Sequence, residues 1–164
     1  MITTTATSWF FFGFYAAFWT NLGCSSGLTT INAGIVNYQN GTSLGGGSPI
    51  VAANNTTVQL QGNIAGGSQP MTLSGAGALG QSGALVNVSG DNSYAGNLMF
   101  GGATTLASES GTLTLLGNIS AAGIAVTTTG AGNISILGSA TGTSNLNSGI
   151  YLLSGGQAIS TGTG

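Results

Sequence analysis

The chain has 164 residues with no lysine, arginine or histidine, and its only formal charges are the carboxylates of Asp91 and Glu109. Ordinary soluble domains are about 25% charged, so this surface lacks the repulsion that normally keeps copies apart. It also lacks the side chains that perform most acid, base, metal and phosphate chemistry, so an enzyme is not expected. Nor is a nucleic-acid partner, because phosphate binding needs Lys or Arg to displace counterions.

With 41% apolar residues the chain is too hydrophobic for ordinary disorder. Its 31 glycines follow no three-residue period and only two prolines accompany them, which excludes a collagen-like helix. The remainder is rich in Thr, Ser, Asn, Leu and Ile, residues of strands and turns, and poor in strong helix formers. The expected class is all-β.

In chain order, the first feature is an aromatic run, Trp9, Phe10, Phe11, Phe12, Phe14, Tyr15, Phe18 and Trp19, within an apolar amino-terminal segment (residues 1–23). A secretory signal needs a basic n-region, and Met1 to Ser8 carries no positive charge. A transmembrane helix needs about 20 apolar residues, and this run spans about half of that, so no stable membrane span is expected. The favoured reading is an ordered apolar plug that buries against its own domain or a neighbouring subunit, with Phe11, Phe14 and Trp19 largely covered. A remnant of an export signal is the alternative. Cys24 is the single cysteine, so it forms no intramolecular disulfide and reads as an inert thiol.

Residues 24–164 read as one repeat domain. Short alternating runs recur at close intervals between Gly, Asn and Ser: Val58–Leu60, Met71–Leu73, Leu85–Val88, Asn97–Phe100, Leu113–Leu115, Ile124–Val126, Ile134–Ile136 and Ile150–Leu153. Period-two alternation is the signature of strands with one buried face. Nothing between the runs is long or amphipathic enough for a crossover helix. A tripeptide punctuates them, as Gly62-Asn63-Ile64, Gly96-Asn97-Leu98, Gly117-Asn118-Ile119 and Gly132-Asn133-Ile134. The step from Gly96 to Gly117 equals the step from Leu113 to Ile134, a repeat of about 21 residues. Two or three short strands per repeat of that length describe a parallel β-helix, with six or seven turns over residues 25–164 at about 21 residues per turn.

One segment is more specific. Ser26 to Val36, reading Ser-Gly-Leu-Thr-Thr-Ile-Asn-Ala-Gly-Ile-Val, followed by Asn40-Gly41 and Leu44-Gly45-Gly46, resembles the autotransporter-associated β-strand repeat. A looser match runs through Gly90-Asp91-Asn92-Ser93-Tyr94-Ala95-Gly96 and Gly111 to Leu115. The resemblance implies a right-handed parallel β-helix, an extracellular or cell-surface location, and repeats that carry no catalytic motif. The chain departs from the family in having no recognisable translocator barrel after the repeats and in being far shorter than a typical passenger.

Chemistry-bearing residues are few. Asp91 and Glu109 stand far apart in the chain, and the bland reading of each, a turn residue and a solvated loop residue, is the expected one. No His completes a nucleophilic triad, no metal ligand set is present, and Gly45-Gly46-Gly47 lacks the Lys and Ser or Thr of a phosphate loop. No cofactor is expected. Six acceptor sequons begin at Asn40, Asn54, Asn55, Asn87, Asn118 and Asn133. They are candidate N-glycosylation sites on an exported chain, where glycans would solubilise a neutral surface.

The sequence therefore predicts a structural subunit that partners itself, assembling head-to-tail into a filament or surface layer. The alternative is an adhesin or carbohydrate-binding passenger fragment of a longer secreted protein, for which Tyr38, Tyr94 and Tyr151 are the only candidate stacking aromatics beyond the amino terminus.

Overall fold

A computed structural model describes residues 16–18, 27–41, 47–121, 123–138, 140–141, 150–152 and 158–160, with side chains described over 27–41, 47–121 and 123–138. The regular secondary structure described is entirely strand, and every strand pair is parallel. The chain coils as a β-solenoid with three faces per turn.

The first face stacks β2 (Thr29–Ile31), β4 (Ile50–Ala52), β6 (Met71–Gly75), the start of β9 (Leu98–Ser108), β11 (Ile119–Ser120) and β14 (Ala140–Thr141). The second stacks β1 (Ala16–Phe18), β3 (Gly34–Tyr38), β5 (Thr56–Gln61), β7 (Leu85–Ser89), the end of β9, β12 (Val126–Thr129) and β15 (Ile150–Leu152). The third holds β8 (Asn92–Tyr94), β10 (Thr112–Leu115), β13 (Asn133–Ile136) and β16 (Ala158–Ser160), extended one turn back by a parallel bridge from Ala65 to Ser93. Steps from β2 to β14 make about five complete turns among the described residues.

Parallel neighbours normally need a long crossover between them. Here the crossover is the rest of the coil, so no helix is required. The step read from the sequence is the true repeat: Thr29 lies beside Ile50, Ile50 beside Met71, Leu98 beside Ile119 and Leu113 beside Ile134. The tripeptide marks two corners rather than one. Gly96-Asn97-Leu98 and Gly117-Asn118-Ile119 lead from the third face into the first, whereas Gly62-Asn63-Ile64 and Gly132-Asn133-Ile134 lead from the second into the third. Only recurrences at the same corner share the repeat.

Alternation sorts the side chains. Thr112-Leu113-Thr114-Leu115 sends both leucines inward and leaves both threonines half-buried outside. Interior columns run Ile50–Met71–Leu98–Ile119 on the first face and Val58–Leu85–Leu106 on the second, all buried. Burying a Leu or Ile side chain contributes roughly 1.5–3 kcal/mol, and each column repeats that gain turn after turn.

The period lengthens most in the middle of the coil. Met71 pairs with Leu98 and Val58 with Leu85, and both steps are longer than the one from Ile50 to Met71. The connection from β6 to β7 runs from 76 to 84, whereas that from β4 to β5 runs from 53 to 55. The longer loop folds across the outer side of the second face. Thr57 Oγ1 accepts the Ala78 N–H at 2.9 Å and donates to the Gly83 carbonyl at 2.8 Å, while Gln59 Nε2 donates to Gln81 Oε1 at 2.6 Å. Val86 and Ala107, outward by alternation, are buried beneath it.

Of the amino-terminal segment 1–23, only residues 16–18 are described. Ala16, Ala17 and Phe18 pair in parallel with Ile35, Val36 and Asn37. The rest of the aromatic run, Trp9 to Tyr15 and Trp19, lies outside the described residues, as do the Phe18 side chain and Cys24.

Close stacking at the corners makes a direct prediction. A Cβ on Gly117 would meet the carbonyl group of Gly96, and one on Gly138 that of Gly117. Gly102 has open space around it and no positive φ. Gly117→Ala should lower stability in urea unfolding by about 1–3 kcal/mol, while Gly102→Ala should leave it unchanged or raise it by up to about 1 kcal/mol. Equal losses at the two positions would contradict the stacking.

Candidate functional site

The distinctive constellation is a polar network at the corner between the second and third faces. Gly62-Asn63-Ile64, Gly90-Asp91-Asn92, Gly111-Thr112-Leu113 and Gly132-Asn133-Ile134 stack there turn on turn. Gly62, Gly90 and Gly111 hold positive φ, as does Asn63, a conformation that Gly and Asn adopt most readily.

On the outside of this corner, side-chain oxygens join successive turns. The Asp91 N–H donates to Asn63 Oδ1 at 2.8 Å, and Asp91 Oδ1 accepts the Thr112 N–H at 2.9 Å. The corner between the third and first faces repeats the device, with the Asn118 N–H donating to Asn97 Oδ1 at 3.0 Å. Each contact uses only the Oδ1 acceptor, which a carboxylate supplies as well as an amide does. That explains how one acid enters a column of neutral residues. Glu109 is also exposed, and its backbone N–H donates to the Asn87 carbonyl at 2.8 Å.

Inside the same corner lies a buried amide pair. Asn87 Nδ2 faces the Gly90 carbonyl at 3.0 Å, Ser108 Oγ at 3.0 Å and the Ser110 carbonyl at 2.9 Å, its two hydrogens shared among the three acceptors. Asn92 Nδ2 donates to Asn87 Oδ1 and to the Ser89 carbonyl, and Asn92 Oδ1 accepts the Ile64 N–H at 2.7 Å. Both amides are fully buried or nearly so, and every polar group named is paired, as burial in a low-dielectric interior demands. Asn92 occupies the inward position that Leu113 and Ile134 take one and two turns later. Its offset from Leu113, one full repeat, was the available sequence signal, and sequence reasoning missed it.

The buried aromatics behave similarly. The Tyr94 hydroxyl donates to the Gln69 carbonyl at 2.7 Å. Burial, with the neighbouring Tyr38 phenol as a smaller cause, holds that hydroxyl well above the ordinary phenol range, so it stays a neutral donor. Tyr38 and Tyr94 are both 0% exposed. Neither ring face can stack on a sugar, which corrects their reading as carbohydrate-binding candidates; the Tyr151 side chain lies outside the described residues.

The sequon asparagines separate by burial. Asn40, Asn54, Asn55, Asn118 and Asn133 are exposed, whereas Asn87 is fully buried with its amide hydrogens engaged, so a glycan at Asn87 is incompatible with this fold. The outer side of the third face carries Ser93, Thr114 and Ser135 in one column, with exposed Leu116 and Leu137 at the corner beyond. Among the described residues no three His, Cys, Asp or Glu side chains group where they could hold a metal ion, and no helix is long and apolar enough to cross a membrane.

No family model matches this chain, and no curated protein or solved structure does so either.

The corner network separates two neighbouring substitutions. Asn87→Leu removes the donor to the Gly90 and Ser110 carbonyls and the Oδ1 that accepts from Asn92 Nδ2, which keeps only the Ser89 carbonyl, and should cost about 3 kcal/mol in chemical denaturation. Asp91→Asn keeps the Oδ1 acceptor and should change stability by no more than about 0.5 kcal/mol.

Proposed function

We propose that this protein is a structural β-solenoid subunit that associates with copies of itself, head-to-tail, into a filament or surface layer outside the cell. The observation that carries this reading is the parallel in-register stack, whose outer surface bears only the carboxylates Asp91 and Glu109 and no cation. Adding a turn from a second copy would repeat the pairing already made between turns, at about 4.8 Å per layer. Natural solenoids and open sheets prevent such addition with charged caps and edge lysines, and this sequence has no lysine at all. A head-to-tail contact that does not close on itself polymerises.

Export is supported by the resemblance to autotransporter-associated repeats and by five sequon asparagines that stand on the exposed surface. Carbohydrate binding is less favoured, because burial removes Tyr38 and Tyr94 from the aromatics it would use.

Light scattering and negative-stain microscopy of the full chain over a concentration series test this reading. Filaments or sheets that lengthen with concentration are expected, and a monodisperse monomer throughout would refute it. Intact-mass measurement after expression in a glycosylating host should place any added glycan on the exposed sequons and none on Asn87.

A further inference from the structure

The geometry points to Asn40-Gly41 as a site of spontaneous covalent modification, at which the chain converts an amide to a carboxylate without an enzyme. It is the only Asn-Gly pair among 164 residues. Asn40 is exposed and Gly41 lies in a turn outside the strands. The reaction is intramolecular. The Gly41 backbone nitrogen attacks Asn40 Cγ, forming a new C–N bond in a five-membered cyclic imide, and ammonia leaves with the former amide nitrogen. Solvent water then opens the ring at either carbonyl, giving aspartate or isoaspartate. No oxidant, reductant or metal is consumed.

Two physical features single out this residue. Glycine has no Cβ to obstruct its own nitrogen, and its backbone reaches the conformations the cyclisation requires. At two other asparagines a hydrogen bond ties down the would-be nucleophile. After Asn63, the Ile64 N–H is tied to Asn92 Oδ1 at 2.7 Å, and after Asn97 the Leu98 N–H is tied to the Asn118 carbonyl at 2.8 Å. Asn55, Asn118 and Asn133 are followed by Thr56, Ile119 and Ile134, branched residues placed within strands. Asn92 is followed by the small Ser93, but its carboxamide is buried and bonded through both its nitrogen and its oxygen. Among the described residues the rivals are exposed Asn54, whose Oδ1 lies 3.0 Å from the Asn55 nitrogen, and exposed Asn32, which the small Ala33 follows outside the strands.

The consequence is larger here than in an ordinary domain. Conversion adds a carboxylate to a chain that has two, and makes its formal net charge of −2 one unit more negative. Isoaspartate also inserts a methylene into the backbone directly before Gly41, whose Cα packs so closely on the Ala65 carbonyl of the next turn that a Cβ would collide with it.

The test is incubation of the purified full chain at neutral and mildly alkaline pH, followed by denaturation, chymotryptic cleavage after Tyr38 and Leu44, and mass spectrometry. An isoaspartyl methyltransferase assay identifies the isomer. In the folded chain the 39–44 peptide should lose its amide first, ahead of every other asparagine, yielding both isomers and a one-charge acidic shift on isoelectric focusing. In urea Asn92 should begin to convert as well, while Asn40 continues. Asn40→Gln, which leaves Gly41 in place, should abolish the early shift. Retention of the Asn40 amide in the folded chain while unfolded chain loses it, or earlier conversion at Asn54 or any other asparagine, would overturn the proposal.

Discussion

The rest of this molecule depends on one constraint: once per turn the backbone must return directly over itself at the spacing of a parallel hydrogen-bonded ladder. At about 4.8 Å between layers, whatever one turn places at a position, the next must accept in contact. Glycine recurs at Gly96, Gly117 and Gly138 because the carbonyl of the preceding turn occupies the space of a Cβ. Asn63, Asp91 and Asn97 stand at the corners because their short side chains reach a backbone N–H one turn away. The same spacing disfavours charge, since a repeated ion would face its own image along the column.

Inside the coil the constraint acts differently. At the corner between the second and third faces the backbone carbonyls of Ser89, Gly90 and Ser110 face the buried amides of Asn87 and Asn92 and are paired there. Asn87 and Asn92 provide that pairing at the cost of apolar volume. Tyr94 provides it for Gln69 while filling the core with its ring. The 76–84 loop extends the logic to the surface: with the room for an inserted segment, the chain covers part of the second face and leaves the third as its most regular uncovered strip of small polar side chains.

Much of the architecture was legible in the sequence. Strands such as Leu113–Leu115 and Ile134–Ile136 announced themselves by alternation, and the spacing between them is the spacing of the turns. What stayed hidden has physical causes. The Gly-Asn-Ile tripeptide serves two different corners, so its raw recurrence mixes two series. The inserted loop looks like any other Gly- and Ser-rich turn until the register of Val58 with Leu85 exposes it. Asn87 read as a glycan acceptor because polarity normally means exposure, and Asn92 drew no notice as an inward residue for the same reason. Only a fold that turns backbone carbonyls inward gives those amides a buried role. Tyr38 and Tyr94 were misread for the same reason, as a polar tip does not reveal which side of a strand the ring occupies.

Paired spin labels at Ser93, Thr114 and Ser135 test the stacking most directly, on a chain whose single native thiol is removed by Cys24→Ser. These outward positions fall in one column on three successive turns. A parallel coil in this register gives strong dipolar coupling for Ser93 with Thr114 and for Thr114 with Ser135, each about 5 Å apart at the backbone, and weaker coupling for Ser93 with Ser135 at about 10 Å. Absence of coupling between adjacent pairs, or a Ser93–Ser135 coupling as strong as theirs, would contradict a parallel coil with this register.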